Sequence, residues 1–308
     1  METVSCNLCG ADDAEIIFTG PGWHQLVPEG SALLRCRNCG LVYLNPRPTP
    51  EEIGAYYPDD YNCFRPAVED ERFWLMRWMR RYKLAHRRRL VEKFGERKSG
   101  RILDVGCSTG LFLHEMVLAG WEAFGVEPTP SAAAYARDRF GLDVFQGILE
   151  EAPLTPKSYD VVTFWDVLEH TFSPTETLKR TAALLEPGGL LAINVPNWHS
   201  PDRQWFGPHW IGYDPPRHLY VFTRETLSAL LRKTGFEPLA WMCFMPSYYP
   251  FILSLERWLA ARAPQWAKSV SRVLNFPGVR FIFEPYFTVM NWLQHGSVIA
   301  VFARKRME

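Results

Sequence analysis

The chain has 308 residues, of which 47% are hydrophobic and 22% are charged. This composition supports a packed core and excludes a mainly disordered protein, and the length suits one large domain with an appendage or two domains. Lysine and arginine together number 34, the same as aspartate and glutamate together. A protein that mainly binds a nucleic acid backbone is therefore not expected, because such proteins carry a basic surplus.

The sequence also lacks the usual signals for export or membrane insertion. The first residues, METVSCNLCG, contain neither the basic nor the apolar region of a secretory signal. The longest uncharged stretch, residues 239–255, is shorter than the ~20 residues that span a bilayer, and Pro246 and Pro250 interrupt it. We therefore expect a cytoplasmic protein without a transmembrane helix.

Four of the seven cysteines form two C-x-x-C pairs, CNLC and CRNC: Cys6, Cys9, Cys36 and Cys39. A glycine follows each pair and permits the tight turn that points two sulfurs at one ion. Two such pairs close the tetrahedral shell of a structural zinc ion and leave no position for a reacting water. A redox motif or two disulfides are the alternatives, but no thioredoxin-like pattern surrounds the pairs and no secretory signal precedes them. The other three cysteines are predicted to be ordinary small residues: Cys63, Cys107 and Cys243.

Two segments are predicted before the main domain. Residues 1–48 form the zinc ribbon, and residues 49–100 form a helical linker. Within the linker, residues 70–94 predict one long helix that ends near Gly95. Its basic residues could contact an acidic lipid surface or RNA, but we favour a solvent-exposed face on a helix that packs against the next domain.

From Arg101 onwards, apolar strand-like runs alternate with helical patterns. Strands are predicted in RILDV, WEAFGVEP, LDVFQG, the start of SYDVVTFWDVLEH, LLAINVPN and GSVIAVFARK. Ser173 and Thr223 are the predicted N-caps of two intervening helices, the first of which is expected to stop at a glycine pair. This repetition predicts an α/β protein with a parallel, doubly wound sheet. The predicted segments are a ligand-binding core (residues 101–243), a helical aromatic insertion (244–296), and the last core strand with the tail (297–308).

The stretch ILDVGCSTG runs from a strand into a glycine-containing loop of the kind that binds nucleotides. An ATP-binding loop would need a lysine after its last glycine, and a dinucleotide site would need glycines where Ser108 and Leu111 stand. Instead, Asp104 ends the strand, and Gly106 and Gly110 follow it. A pyrophosphate would be repelled by this acid, whereas a cationic amino-acid arm would suit it.

The second strand of the repeat ends at Glu127. A carboxylate in this position can hold both hydroxyls of a ribose. A ligand with a ribose, a cationic amino-acid arm and no phosphate fits the description of S-adenosylmethionine (SAM), which we predict as the cofactor.

Four stretches resemble, in the same order, the motifs of class I SAM-dependent methyltransferases: ILDVGCSTG, VEP, YDVVTFWDVLEH and LLEPGGLLAINVPN. The resemblance covers about residues 101–238 and returns at the last strand. It implies a Rossmann-like, mostly parallel sheet of seven strands. The cofactor-binding residues that it implies are Asp104, Gly106, Cys107, Ser108, Gly110, Glu127, Pro128, Ile148, Leu149, Trp165 and Asp166. Many members carry an Asp where this chain has Ile148, so adenine contacts are expected to be apolar or to come from backbone amides.

The end of the ribbon and the start of the linker, CRNCGLVYLNPRPTPEEIGAYYPDDY, also resemble a family architecture. They are similar to the lead-in found on small-molecule methyltransferases, including enzymes that methylate carbon on nucleotide-linked sugars. This resemblance does not identify a substrate.

The run WDVLEH places Asp166, Glu169 and His170 just beyond the fourth strand, at the carboxyl edge of the sheet where ligands bind. Histidine is the usual base near neutral pH, and His170 matches a base position proposed for the sugar C-methyltransferases. The same run resembles ubiquinone-type O-methyltransferases, in which such side chains can hold a divalent cation. A structural hydrogen bond is the alternative role for His170.

A second candidate region, FGPHWIGYDPPRHLYVFT, lies between the fifth strand and the next helix. Its side chains offer a base, an aromatic wall and an anion-binding group: His209, Trp210, Tyr213, Arg217 and His218. His218 matches a histidine of the sugar methyltransferases, with a structural hydrogen bond as the alternative. The run DPPR differs from the DPPY signature of adenine-N6 methyltransferases because it follows the fifth strand and ends in arginine, so a nucleic acid substrate is not expected.

For the insertion, we favour a helical pair packed at the sheet edge or a dimer contact. A lid over the acceptor, or an interfacial surface for peripheral membrane contact, is the alternative. The predicted function is methyl transfer from SAM to a small-molecule acceptor such as a sugar, a secondary metabolite or a glycan precursor. The candidate catalytic residues are His170, His218, Asp166 and Glu169. A lipid-linked or quinone acceptor at the membrane surface is one alternative, and a non-catalytic SAM-binding regulatory module is another; the oligomeric state is left open.

Overall fold

The computed structural model describes residues 1–19, 27–57, 66–244, 247–274 and 276–307. The ribbon contains three antiparallel strands, β1 (Ala14–Thr19), β2 (Ala32–Cys36) and β3 (Val42–Asn45). Cys36 ends β2, so the second C-x-x-C pair lies in the turn between β2 and β3. Cys63 lies outside the described residues, whereas Cys107 and Cys243 are buried.

The long helix predicted after the ribbon is α1 (Trp74–Gly95). Its C-terminal half packs against the core through the buried side chains of Leu90 and Val91. Arg88 forms ion pairs with Glu92 of the same helix and Glu115 of the next one. These contacts agree with a helix that packs on the neighbouring domain.

The core is a sheet of seven strands flanked by helices. The strands that follow α1 are β4 (Arg101–Val105), β5 (Glu122–Glu127), β6 (Asp143–Gln146), β7 (Tyr159–Trp165), β8 (Leu185–Pro196), β9 (Tyr220–Val221), β10 (Phe236–Met242) and β11 (Val298–Lys305). All of them except β9 form one sheet in the order β10-β11-β8-β7-β4-β5-β6. The five strands from β8 to β6 are parallel, and β11 is antiparallel to both β8 and β10. The predicted Rossmann-like, doubly wound sheet of seven mostly parallel strands is confirmed.

One core strand, β10, was not identified from the sequence. It is an edge strand, and only one of its seven residues, Phe236, is buried. Pro238 interrupts its alternation, and its pairing with β11 shifts register between Pro238 and Ala240. An edge strand tolerates such a proline because one side of it needs no hydrogen-bond partner.

The flanking helices are α2 (Leu111–Leu118), α3 (Pro130–Phe140), α4 (Pro174–Leu184), α5 (Pro201–Phe206), α6 (Arg224–Lys233), α7 (Tyr248–Arg262), α8 (Pro264–Leu274) and α9 (Pro277–Trp292). The prediction that α4 continues to a glycine stop was wrong. The chain leaves the helix at Leu184 and enters β8 at once.

The two predicted N-caps have different outcomes. Thr223 caps α6, because its Oγ1 accepts a hydrogen bond from the Thr226 amide at 3.1 Å. Ser173 precedes α4, but its side chain caps no amide of that helix. Asn7, from the first knuckle of the ribbon, accepts the Thr175 amide at 3.0 Å instead. The cap of α4 therefore comes from a residue more than 160 positions earlier, which no local pattern could indicate.

The ribbon and the core share one sheet. The short strand β9 pairs antiparallel with β3 and completes a four-stranded sheet in the order β1-β2-β3-β9. Next to this pairing, the Leu44 amide donates to the Leu219 carbonyl, and the Leu219 amide donates to the Glu169 carbonyl, both at 2.9 Å. Backbone hydrogen bonds therefore connect the ribbon to both candidate histidine segments.

The insertion contains three helices, α7 to α9, instead of the helical pair that we favoured. Residues from the linker, the core and the insertion line one cleft at the carboxyl edge of the parallel strands. Within the described part of the chain, no helix is both long enough and apolar enough to cross a membrane.

Candidate functional site

The cleft at the sheet edge has a volume of about 2640 Å³. Asp104, Glu127 and Trp165 reach it from three neighbouring parallel strands, because parallel strands bring their carboxyl ends to the same edge. Ten of the eleven predicted cofactor-binding residues line this cleft: Asp104, Gly106, Cys107, Ser108, Glu127, Pro128, Ile148, Leu149, Trp165 and Asp166.

Gly110 is the predicted cofactor-binding residue that does not line the cleft. A Cβ atom at this position would lie 2.5 Å from Leu142 and 2.9 Å from Ala136. The backbone also has φ +76°, in the left-handed region that favours glycine. The glycine is therefore needed for the turn and for packing the start of α2 near α3.

Asp104 is the next-to-last residue of β4 and is almost completely buried. Its carboxylate accepts a hydrogen bond from the Thr163 hydroxyl at 2.5 Å. Burial raises the pKa of Asp104 to about 7, although the Thr163 hydrogen bond and the positive charge of Arg87 act in the opposite direction. A ligand cation beside this carboxylate would favour its ionised form.

Glu127 ends β5, and backbone amides hold its side chain in place. One carboxylate oxygen accepts the Ser108 amide and the other accepts the Thr129 amide, both at 2.8 Å. Each carboxylate oxygen can accept more than one hydrogen bond. Glu127 can therefore still receive the two hydroxyls of a ribose while the loop fixes its orientation.

The segment after β6 offers an apolar surface at the position expected for adenine. Ile148 is exposed in the cleft, and Leu149 is buried beneath it. The expectation that adenine contacts in this chain are apolar stays a prediction.

Arg87 of α1 is a site residue that the sequence analysis missed. Its guanidinium lies 4.6 Å from the Trp165 ring centroid and 5.5 Å from that of Phe112. It also lines the cleft and lowers the pKa of Asp104 electrostatically. Arg87 belongs to the basic run of α1, and no local pattern separates it from its arginine neighbours, since its role depends on how the helix packs.

His170 and His218 lie together in the cleft, with ring centroids 4.6 Å apart. The Nδ1 atom of His170 is 3.0 Å from the Arg217 carbonyl oxygen, and Nδ1 of His218 is 2.9 Å from the Gly212 carbonyl oxygen. A carbonyl can only accept, so the neutral His218 ring carries its proton on Nδ1 and a lone pair on Nε2. Nδ1 of His170 lies 3.0 Å from the Tyr57 hydroxyl as well, and of these two partners the carbonyl requires the proton on Nδ1. Burial lowers the pKa of His170 to about 3 and also lowers the pKa of His218, so both rings are neutral near pH 7.

Glu169 is completely buried next to the two histidines. Burial raises its pKa well above the ordinary value, and the negative charge of Asp166 adds to this effect. The ligand atoms of Glu169, His170 and His218 lie within 4.8 Å of one another. Asp166 is not part of this group. It is exposed, has φ +59°, and accepts the Asn194 side-chain amide at 2.5 Å. The residue set that the ubiquinone-type resemblance suggested for a divalent cation is therefore not the set that the fold brings together.

The second candidate region divides between the cleft and the core. Trp210, Arg217 and His218 line the cleft. Among the described residues, His209 and Tyr213 do not line the cleft. Tyr213 is buried against Phe18 and Trp198. The expectation that Tyr213 contributes to an aromatic wall for the acceptor was wrong, because the ribbon covers this side of the loop.

Arg217 is held by Asp214 and does not present a free guanidinium to the cleft. The two side chains form a two-point ion pair, with both N···O distances at 2.8 Å. Arg257 of α7 donates to the same carboxylate at 2.5 Å. Burial opposes ionisation of Asp214, but the hydrogen bond from Arg217 and the nearby positive charges keep its pKa below the usual range. This cluster ties the insertion to the loop that carries His218.

The four ribbon cysteines have the geometry of a metal site. All four sulfur atoms lie within 4.8 Å of one another, with Cys6 and Cys39 3.4 Å apart and Cys9 and Cys36 3.5 Å apart. Zn–S bonds of about 2.3 Å imply S···S distances of about 3.8 Å in a tetrahedron. The sulfur cluster therefore fits a closed, structural zinc shell.

Comparison with known proteins agrees with the fold. A family model described as a methyltransferase domain matches residues 76–240. A probable S-adenosylmethionine-dependent methyltransferase of Mycolicibacterium smegmatis is 29% identical over 178 residues, which is 56% of this chain and 62% of the relative. A ubiquinone biosynthesis O-methyltransferase of Aeromonas salmonicida is 34% identical over 115 residues, which is 35% of this chain and 48% of the relative. The chain thus covers less than two thirds of each relative.

Among solved structures, one from Galdieria sulphuraria, described as a candidate sarcosine dimethylglycine methyltransferase, superposes with a TM-score of 0.51 at 15% identity. It covers 79% of this chain and 91% of its own chain. This likeness concerns the fold, which is that of class I methyltransferases. The family model matches more than half of the chain, and the chain therefore belongs to the methyltransferase-domain family.

Proposed function

We propose that this protein transfers a methyl group from SAM to a small-molecule acceptor in the cleft. The main support for the proposal is that two sets of residues line one cleft at the sheet edge. Asp104 and Glu127 are the acids suited to a cationic amino-acid arm and a ribose, and His170 and His218 line the same cleft with neutral rings.

The residues of the cleft fit each part of SAM. Asp104 would pair with the ammonium of the amino-acid arm, and Arg87 would pair with its carboxylate. Glu127 would receive the ribose hydroxyls, and Ile148 would contact the adenine ring. Bound in this way, SAM would supply an electrophilic methyl group on a positive sulfur.

The histidines would act on the acceptor. A neutral imidazole whose Nδ1 proton is donated to a backbone carbonyl has a fixed tautomer and presents Nε2 as a base. His170 or His218 would remove the proton of the reacting group, and the carbonyls of Arg217 and Gly212 would stabilise the imidazolium that forms. Asp166 and Glu169 border the same space and would shape it, with Glu169 in its protonated form.

A structural zinc ion in the ribbon belongs to the same proposal. It would act at a distance from the reaction, since the four thiolates leave no open position. The neutral net charge of the chain supports an acceptor that is not a nucleic acid.

Two measurements test the proposal. Calorimetry should detect SAM binding to the folded protein, and the absence of binding would rule out the cofactor assignment. SAM carrying a labelled methyl group, incubated with a fractionated small-molecule extract, should then transfer label to a small product. Retained SAM binding without transfer to any fraction would favour the regulatory module.

Histidine variants locate the base. His170→Ala and His218→Ala should keep SAM affinity within about twofold and lower label transfer by about 100-fold or more, as expected for loss of a general base. His209→Ala is the matched control, because His209 is on the same loop but outside the described lining of the cleft. Unchanged transfer in both test variants would remove these histidines from the mechanism.

A further inference from the structure

A row of aromatic rings runs along α1 towards the sheet edge. Trp78 stacks on Tyr82 with centroids 5.7 Å apart, and Tyr82 stacks on His86 at 6.1 Å. His86 then meets Phe244 edge to face at 5.7 Å, and Phe244 meets Trp165 edge to face at 6.1 Å. All five rings line the cleft described above. We call this set, Trp78, Tyr82, His86, Phe244 and Trp165, the aromatic row.

The exposure of the rings falls steadily along the row. Trp78 is 59% exposed, Tyr82 is 49% exposed, His86 and Phe244 are partly buried, and Trp165 is only 8% exposed. Rings that only pack a helix onto a sheet would be buried beneath other side chains. The outer rings of this row instead present their surfaces to the open cleft, which is the arrangement of a binding wall.

The opposite side of the cleft is formed by the insertion. Leu253 and Tyr249 of α7 and Trp292 of α9 line it, next to polar side chains of the same helices such as Glu256 and Asn291. Trp292 is among the most exposed large side chains of the described residues. The cleft therefore has a groove between α1 and the insertion whose aromatic and aliphatic surface is bordered by polar side chains, and the groove is continuous with the sheet edge where Asp104 and Asp166 lie.

The length of the groove exceeds that of a sugar or a single small ring. Trp78 and His86 are eight residues apart on one helix, which corresponds to about 12 Å. The inner end of the row is Trp165, directly before Asp166 at the end of β7. A ligand that filled the groove would place one end at the sheet edge and the other near the protein surface.

We propose that the aromatic row binds an acceptor that carries an extended apolar chain, with the chain along α1 and the reactive end at the sheet edge. The inference rests on the proposed function and selects one acceptor class within it. A polar acceptor without such a chain would leave the exposed faces of Trp78 and Tyr82 in water, whereas an alkyl or isoprenoid chain would cover them and gain the free energy of apolar burial.

The test uses a homologous series of n-alkyl glucosides, from butyl to decyl, below their micelle concentrations and in the presence of SAM. If the chain lies in the groove, calorimetric affinity should rise with each added methylene, by up to about fourfold per buried CH₂. Binding through the sugar alone would give the same affinity along the series, and this result would overturn the inference.

Variants assign the effect to the row. Trp78→Ala combined with Tyr82→Ala should weaken the longest glucoside by about tenfold or more, since each ring contributes a large apolar surface. Trp266→Ala in α8 is the matched control, because Trp266 is 60% exposed, much like Trp78, but is not among the described residues that line the cleft. An equal loss in the control would mean that the chain binds exposed aromatic surface unspecifically, and the inference would fail.

Titration of SAM into the same samples separates the two proposals. SAM binding with a flat glucoside series would leave the methyltransferase proposal in place and remove the apolar-chain inference. Absence of SAM binding would remove the methyltransferase proposal, whatever the glucoside series shows.

Discussion

The ribbon (residues 1–48) and the insertion (residues 244–296) are both additions to the same sheet, but they are attached in different ways. The ribbon contributes polar groups to the core: Asn7 caps α4, Arg47 donates to the Phe172 carbonyl at 2.9 Å, and the Leu8 carbonyl accepts the Lys233 ammonium at 2.5 Å. It also shares a sheet with β9. The ribbon is therefore part of the framework that holds the core loops.

The insertion has some polar ties to the core, such as the Arg257–Asp214 ion pair and the hydrogen bond from the Ile211 amide to Ser254 at 2.9 Å. Much of its remaining surface is apolar and open to solvent, as at Trp266, Ile282 and Trp292. Large exposed apolar surfaces of this kind usually mark a binding site, because they otherwise promote aggregation. The ribbon thus holds residues of the site through hydrogen bonds, whereas the insertion exposes the apolar surface to which we assigned part of the binding groove.

Removal of the predicted metal site tests whether the ribbon supports the core loops. Cys36→Ser should abolish zinc binding and destabilise the protein by more than about 4 kcal/mol, because a structural metal contributes directly to folding free energy. The loss should reach the histidine segments through the Leu44–Leu219–Glu169 backbone hydrogen bonds. Metal analysis, thermal unfolding and label transfer would measure the three effects.

Cys243→Ser is the control for this experiment, since Cys243 is buried far along the chain and is not part of the sulfur cluster. It should retain one zinc ion per chain. Absence of zinc from wild-type protein purified without chelators would contradict the assignment of the ribbon as a zinc site.

Substitution of Asp104 tests the part of the site that neither addition forms. Asp104→Asn should lower SAM affinity by about 100-fold, or about 2.7 kcal/mol, through loss of a buried charge partner for the ammonium. Because the ionised form binds the cation and burial raises the pKa of Asp104 to about 7, wild-type affinity should increase with pH between about pH 6 and pH 8 and then level off.

The Asp104→Asn variant should bind SAM with little dependence on pH over the same range. Asp143→Asn, at the opposite end of the parallel strands, is the control and should keep the wild-type profile. The free energy of unfolding of the wild type should change with pH in the opposite direction to SAM affinity. The folded state holds the Asp104 proton more tightly than the unfolded state, so this contribution is present at low pH and is lost as the pH rises through about 7. A pH-independent affinity in the wild type would contradict the role of Asp104.

The contrast between Asp104 and the histidine pair shows what the sequence could predict. Asp104 and Glu127 each lie at the carboxyl end of a strand within a local motif, so the topology of a parallel sheet brings them to one edge without further information. The closeness of His170 and His218 depends on the backbone bond between Leu219 and Glu169, which joins segments 50 residues apart. Each histidine could be proposed separately, but their pairing could not.

The missed features have a common physical cause. Arg87, Asn7 and the edge strand β10 act through packing between elements that are distant in the sequence. Arg87 is one arginine in a basic run, and only the rotation of α1 against the core directs it to Trp165. Asn7 lies within a zinc knuckle, where its amide has no local signal for capping α4. Local patterns predicted the sheet and the cofactor acids, and tertiary contacts decided the remainder.

The ion pair at Asp214 tests how much the polar attachment of the insertion contributes to stability. Arg257→Ala removes the ion pair that links α7 to the loop carrying His218, and leaves Arg217 paired with Asp214. We expect a loss of about 2 kcal/mol, the usual value for a hydrogen bond to a charged group. Urea unfolding would measure it, with Arg262→Ala as the control, because Arg262 stacks on Trp258 at the solvent-facing end of α7. Equal losses in the two variants would show that the Asp214 link adds nothing specific.

The smallest expected effect concerns the cap that the ribbon supplies to α4. Asn7→Ala should cost about 1 kcal/mol, because it removes the acceptor for the Thr175 amide in the first turn of the helix. Ser173→Ala should cost only a few tenths of a kcal/mol, since Ser173 stands at the cap position but its hydroxyl accepts from the Asn7 side chain and not from the helix. Zinc content should be the same in both variants, so that the difference in urea midpoint reports the cap alone. A larger loss of stability in Ser173→Ala than in Asn7→Ala would show that Ser173 is the cap of α4, as the sequence first indicated. The ribbon would then contact α4 without stabilising it.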